Sequence, residues 1–360
     1  MKFGVTVVPS VSDWRLFVDL ETLGYDCAWA ADSQMLYSDA YAVLALAAQN
    51  TSRIRLGTGV AVAPTRLAPV TAHSIASINQ LAPGRVFLGI GTGHTAMRVM
   101  GQDPMKAGAF REYLRVLRAL LHGEEVEYDL NGERQQIRFL HADRGFIDVE
   151  HPVPIYVAAD GPLALKAAGA YGDGRVCSHN QTRARLQKSL ETMQQGAAAV
   201  GRSFPDSFHT AALTYACVLK PGEKPTSDRV IDAIGPMAAA TLHYWWELYQ
   251  KDGDTSTVAQ RCRTLWDEYL AFTEKMETPL AKRYQQVHFG HCAFLPTEER
   301  RFITEDLIRA TGGLVGTPDE IIAMLHEREA MGLDEVTLLP AMAEARSNLE
   351  EFAEQVIARY

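Results

Sequence analysis

The residues most able to do chemistry in this chain stand just past the ends of short apolar runs. His94 follows Ile90-Gly91-Thr92-Gly93, Asp32 follows Cys27-Ala-Trp-Ala-Ala, and His179-Asn180 follows Gly174-Arg-Val-Cys-Ser. An imidazole and a carboxylate in such places suit proton transfer near neutral pH. Each alone reads as readily as a structural or solvent-facing side chain. The group gains interest because every member lies at the same end of a strand. A second kind of chemistry belongs to the main chain. Asp160-Gly161-Pro162 stands where a strand hands over to a helix, and the amides and dipole of a helix start suit a phosphate. Pro162 fits the first helical position. An aspartate N-cap followed by proline explains the same residues without a ligand. Between Arg53 and Gly101, two apolar runs each end in a glycine-rich turn, at Gly57-Thr58-Gly59-Val60 and at Gly89-Ile90-Gly91-Thr92-Gly93. Backbone stripped of side chains can approach a flat or phosphorylated ligand closely.

Several chemistries are excluded. Gly89-x-Gly91-x-Gly93 is a weak dinucleotide fingerprint, and no acidic residue ends the next strand at the required distance. The chain has no GxSxG, HExxH, CxxC or P-loop, which argues against serine hydrolysis, zinc peptidase, thiol redox and nucleoside-triphosphate chemistry. His288-Phe-Gly-His291-Cys292 would gather three metal ligands on one side of a helix. Phe-Gly disfavours that helix and no fourth ligand is in register, so no metal is expected.

The elements that must position these residues read as an alternation. Apolar strands are predicted at 3–8, 27–32, 53–62, 85–90, 154–159, 174–177, 210–219 and 336–339, with helices at 14–23, 39–49, 69–81, 107–121, 163–171, 182–200 and from 341 onward. Eight strands separated mostly by helices predict an α/β fold, a closed (β/α)8 TIM barrel, with an open doubly wound sheet as the alternative. Val126–Leu130, Asn131-Gly132 and Gln136–Leu140 read as a β-hairpin excursion. Residues 228–309 are too long for a plain crossover. They read as a helical insertion carrying Tyr244, Trp245, Trp246, Tyr249, Trp266, Tyr269 and Phe272. Those rings either pack helix on helix or line a lid over the barrel mouth. One domain spanning 1–360, with that insertion inside it, is the expected organisation.

Composition agrees. Of 360 residues, 47% are apolar and 22% charged, enough for a large core. A net charge of -9 gives no basic footprint, so nucleic acid is not an expected partner. Five scattered cysteines read as reduced thiols of a cytoplasmic protein. The N-terminus opens directly into an apolar strand, so neither signal peptide nor membrane span is expected.

Leu56-Gly57-Thr58-Gly59-Val60, Thr65-Arg66, Gly84-Arg85-x-x-Leu88-Gly89-Ile90-Gly91-x-Gly93, Ala159-x-Gly161-Pro162 and Gly316-Thr317-Pro318-Asp319-Glu320 together resemble the luciferase-like (bacterial luciferase type) oxidoreductases. The match runs to about Asn180 and returns from Thr311; residues 228–309 match no motif of the family. The resemblance implies a TIM barrel holding reduced flavin, as FMN, or the deazaflavin F420 at its C-terminal mouth. It implies a bulged third strand with a cis Gly59–Val60 peptide beneath the ring. It also implies phosphate contacts from Thr92, Gly93, Asp160 and Gly161, with Pro162 and His179 beside them. Asp32-Ser33-Gln34 departs from the Glu-His-His of the flavin monooxygenase branch. Asp32 and Arg66 match the F420 branch, while the histidines expected at Ser33 and Leu67 are missing. His94 stands where sugar-phosphate dehydrogenases of that branch place an acid/base glutamate, so His94 is expected to move protons, with Asp32 as the second catalytic candidate. Family abundance favours an FMNH2-dependent monooxygenase of a small organic substrate, with a flavin reductase as candidate partner. The alternatives are an F420-dependent reductase or dehydrogenase, a flavin-binding barrel without catalysis, and a barrel acting on sugar phosphates without a redox cofactor. A homo-oligomer is expected, built as in the family on helices near the second and third strands.

Overall fold

The computed structural model describes residues 1–360 except His179. Where a run is apolar throughout, it becomes a strand covered on both faces, the mark of a parallel sheet between helices. The first strand, β1 (Lys2–Val7), is buried at every position after Lys2. Helix α1 (Leu16–Leu23) stops at left-handed Gly24, whose N–H returns to the carbonyls of Glu21 and Leu20. It leads into β2 (Cys27–Ala30), and α2 (Ala40–Asn50) is capped by Asp39, which accepts the amides of Tyr41 and Ala42. There follow β3 (Arg55–Val62), α3 (Ala68–Leu81), β4 (Val86–Gly91), the short α4 (His94–Val99) and α5 (Ala107–Leu121). The hairpin β5 (Val126–Leu130) and β6 (Glu133–Ile137) precedes β7 (Ile155–Ala158), α6 (Pro162–Tyr171), β8 (Gly174–Ser178), α7 (Arg183–Ala198) and β9 (His209–Thr214). The remainder is β10 (Ala216–Val218), α8 (Asp228–Asp252), α9 (Arg263–Glu274), α10 (Arg283–Val287), α11 (Glu305–Ala310), β11 (Leu314–Gly316), α12 (Pro318–Ala330), β12 (Glu335–Leu338) and α13 (Ala345–Gln355).

Eight of these strands close a barrel in the order β1-β12-β9-β8-β7-β4-β3-β2. The expected (β/α)8 barrel is therefore present, and the open sheet is not. Two strands differ from the sequence reading. The run 210–219 is not one strand: it breaks at Tyr215, and β10 pairs in parallel with β11 (Ala216 opposite Leu314). The second arm of the hairpin begins at Glu133 rather than Gln136. Asn131 (φ 58) and Gly132 (φ 87) form a two-residue turn that places Leu130 opposite Glu133.

Register explains the glycines inside the barrel. Trp29 lies opposite Gly57, and Gly57 opposite Phe87; Gly89 lies opposite Tyr156, and Tyr156 opposite Gly174. A Cβ on Gly57 would come within 2.3 Å of the Phe87 ring, and one on Gly174 within 2.5 Å of Tyr156. On Gly89 it would meet the Thr58 carbonyl oxygen at 2.2 Å. Gly57 and Gly174 thus make room for the barrel's own rings and Gly89 for the neighbouring strand, whereas the sequence reading assigned the turns at Gly57 and Gly89 to a ligand. Polar groups among the rings are paired, as burial demands. Glu335, with no exposed surface, accepts Trp29 Nε1–H at 2.7 Å and meets His209 Nε2 at 2.9 Å. Arg55 donates to the Tyr156 hydroxyl at 3.1 Å.

The chain divides into two compact units, Met1–Ala212 with Met331–Thr337, and Leu213–Ala330 with Leu338–Tyr360. The second has its own core, in which Ile234, Leu242, Trp245, Trp246, Trp266, Tyr269 and Phe302 are buried. Most of the aromatic residues noted in 228–309 pack helix on helix there, while Tyr244 and Tyr249 keep 42% and 38% of their surface exposed. His288 ends α10 and Cys292 has a left-handed φ of 58, so the 288–292 segment is not a helix. All five cysteines are buried free thiols. Among the described residues, no helix is long and apolar enough to cross a membrane.

Candidate active site

At the ends of β2 and β3 the site is a clamp of charges. Asp32 has a side chain only 2% exposed. Its Oδ2 accepts the Val62 N–H at 3.1 Å and Arg66 Nη1 at 2.8 Å, and its Oδ1 accepts Gln34 Nε2 at 2.6 Å. Arg66 reaches Asp39 Oδ2 with its other arm at 2.7 Å and lies over the Tyr41 ring at 4.7 Å. Burial pushes the Asp32 pKa up, and the Arg66 charge opposes the shift. Both carboxylate oxygens are engaged, so Asp32 fixes the end of β3 and the direction of Arg66.

β3 bulges where the resemblance implies. Its pairing with β4 runs Thr58 to Leu88, then resumes at Ala61 to Ile90, and the Gly59–Val60 peptide between them is cis. A Cβ on Gly59 would lie 2.5 Å from Trp29 Cβ, so only glycine fits. Val62 pairs with Gly91, which brings the end of β4 alongside. Gly93 there is left-handed (φ 80), and a Cβ on it would meet Val62 Cγ1 at 2.5 Å. His94 opens α4 and is exposed; Thr92 and Gly93 are half-buried. Asp32, Gly59–Val60 and Thr92-Gly93-His94 are thus collected at the C-terminal end of the barrel.

β7 and β8 add the rest. Asp160 is not the N-cap of α6. The cap is Gly161, which gives no side-chain hydrogen bond, with Pro162 next. Asp160 instead accepts Arg175 Nη2 on Oδ1 at 2.7 Å and the Ser178 N–H on Oδ2 at 3.3 Å. Arg175, 1% exposed, also donates Nε–H to the Ala159 carbonyl at 2.7 Å, while its Nη1 is buried without a hydrogen-bond partner among the described residues. A Cβ on Gly161 would meet nothing within 4 Å. An open helix start without a side-chain acceptor, beside a buried guanidinium with donor capacity to spare, fits the phosphate of a bound cofactor. The sequence reading missed Arg175. Its signal was a charge inside an otherwise apolar strand, which demands a buried partner. His179 lies outside the described residues; Asn180 accepts the Ser178 hydroxyl at 3.2 Å.

Comparison with known proteins bears on this geometry. Residues 14–335 match the luciferase-like monooxygenase family. Across 100% of its length the chain is 27% identical to the 5,10-methylenetetrahydromethanopterin reductase of Archaeoglobus fulgidus, covering 99% of that protein. Over 52% of the chain it is 36% identical to the F420-dependent glucose-6-phosphate dehydrogenase of Kineococcus radiotolerans, covering 58% of that protein. The solved coenzyme F420 dependent tetrahydromethanopterin reductase from Methanopyrus kandleri shares the fold, with a TM-score of 0.69 at 23% identity over 100% of this chain and 99% of that one. These relatives overturn the expected FMNH2-dependent monooxygenase, which rested on family abundance and on no residue of this chain. The chain therefore belongs to the luciferase-like monooxygenase family and is an oxidoreductase.

Proposed function

We propose that the chain is an F420-dependent reductase or dehydrogenase that exchanges a hydride between the deazaflavin and a small organic substrate. The observation that carries a bound cofactor is the open, uncapped start of α6 beside Arg175. The choice of deazaflavin follows the reductase and F420-dependent dehydrogenase relatives. Bound there, the deazaflavin supplies a two-electron hydride donor or acceptor.

The chain's own residues supply position and protons. Gly161 opens the α6 turn. Pro162 has no N–H, so it presets the helix, and the donors of that turn belong to Leu163 and Ala164. Thr92 and Gly93 complete the cradle from β4. Asp160 acts through Arg175, because a carboxylate facing a phosphate directly is repelled. The main chain at Gly59–Val60 forms the floor under the ring. Asp32 positions Arg66 and the end of β3. His94 would hold or release, at its imidazole, the proton that accompanies hydride transfer, and general acid–base help of this kind contributes about 10²–10⁴-fold.

Fluorescence titration of the purified protein with F420, and separately with FMN, tests the reading. Saturable quenching by F420 at micromolar concentration is expected, followed by oxidation of reduced F420 under nitrogen when a panel of carbonyl and imine substrates is added. Tight FMN binding without a response to F420 overturns it.

A further inference from the structure

Three imidazoles converge in the second unit, and nothing in the redox reading uses them. His243 lies within α8, whereas His288 and His291 stand on the turn after α10. One ring nitrogen from each lies within 4.8 Å of those of the other two. The His243 and His288 rings meet at 5.6 Å and 89°, and the His288 and His291 rings at 5.7 Å and 80°. His243 and His288 are each 2% exposed.

Two of the rings are held from behind by buried carboxylates. His243 Nε2 meets Glu299 Oε2 at 2.9 Å, and His288 Nε2 meets Glu247 Oε1 at 2.6 Å. Glu299 and Glu247 are 2% and 5% exposed. A carboxylate on Nε2 fixes the tautomer with the proton there and makes Nδ1 the ligating atom, an arrangement found behind metal-bound histidines. On His243 that Nδ1 is buried and meets no hydrogen-bond partner among the described residues. An unsatisfied buried acceptor of this kind is costly and is relieved by a ligand.

We propose that His243, His288 and His291 bind a divalent transition-metal ion of the zinc class, with Glu299 and Glu247 orienting two of the imidazoles. Two buried carboxylates directed at the three imidazoles add negative charge that suits a dication. An all-imidazole ligand set suits zinc, copper or nickel and not magnesium or calcium. A tetrahedral zinc with Zn–N of about 2.0–2.1 Å places its ligand nitrogens about 3.4 Å apart, so side-chain adjustments of about 1 Å close the present spacing. The fourth position is left to water or a small anion. Cys292 lies beside the cluster, its thiol 3.8 Å from Met237 Sδ and 3.9 Å from His291 Nε2. The sequence reading grouped His288 and His291 with Cys292 and expected no metal because Phe-Gly disfavours a helix and no fourth ligand is in register; His243, on α8, was not found.

Equilibrium dialysis and visible spectroscopy of the chelator-treated full-length protein test the site. One equivalent of Co(II) is expected to bind and develop the bands of a four-coordinate ion, and one equivalent of Zn(II) to bleach them. Wild-type protein that takes up no stoichiometric Co(II) or Zn(II) overturns the proposal, and that arm needs no variant. His291 is the most exposed of the three. His291→Ala is expected to lower affinity at least tenfold while the far-UV circular dichroism stays unchanged. Glu299→Gln is expected to lower affinity 10- to 100-fold, as loss of an orienting carboxylate does. Unchanged affinity in folded His291→Ala protein overturns the assignment.

Discussion

The two charged assemblies of this molecule are built in opposite ways. At the barrel mouth, Arg66 meets Asp32 and Arg175 meets Asp160 across neighbouring strand ends, so each cation has its anion at hand. In the second unit, two carboxylates face three imidazoles, and the charge depends on what else is bound. The first leaves the start of α6 without a side-chain cap. The second leaves a ring nitrogen open. The comparison teaches where to look for a binding site: at the polar group that the fold has not satisfied by itself.

The largest expected effect breaks the first assembly. Asp32→Ala removes the buried acceptor of Arg66, Gln34 and the Val62 amide, and is expected to lower unfolding free energy by about 3–5 kcal/mol in urea denaturation. A loss under 1 kcal/mol would show that Asp32 is not the anchor described. Next comes His94→Ala, expected to slow turnover about 10²-fold while F420 affinity stays unchanged. Steady-state kinetics with a parallel binding titration checks this, and lost affinity with normal turnover would contradict the role given to His94. Gly161→Asp sharpens the comparison more finely. A carboxylate there caps the α6 amides from within and repels a phosphate. Cofactor affinity should fall about tenfold while the melting temperature holds or rises slightly. Unchanged affinity would move the phosphate elsewhere.

The smallest effect concerns an ordinary pair in the second unit. Arg229 beside Glu223 holds its pKa down at about 2. The stabilisation is fully present above the ordinary pKa near 4.5 and is lost as pH falls toward 2, because the unfolded chain takes up the proton first. Both partners keep some solvent exposure, so the contribution is under about 1 kcal/mol. Acid unfolding of Glu223→Gln should show a flatter slope in that window, and an unchanged slope would exclude the pair as its source.

Much of the barrel was legible because strand and helix periods are local. The strand ends at Asp32 and His94 and the Asn131-Gly132 turn follow from residues close together in sequence, whereas the Gly59–Val60 bond was expected only from the resemblance to the family. What escaped reading depends on distance or on competition. Trp29 and Phe87 claim the space at Gly57, Gly59 and Gly89, and no local rule reveals a ring arriving from another strand. Asp160 had two equally good local partners, the α6 amides and an unseen cation, and Arg175 won. The break at Tyr215 is set by pairing with Leu314–Gly316, far along the chain. His243 meets His288 only after α8 and α10 have packed. The cofactor preference went astray for another reason: it was drawn from abundance, although Asp32 and Arg66 pointed the other way.

The position of β12 between β1 and β9 has a consequence for closure of the barrel. The strand carrying Glu335 follows the other seven barrel strands in sequence, yet it is the keystone on both sides. Without it, β1 and β9 would present raw edges, and Trp29 and His209 would lose the carboxylate that joins them.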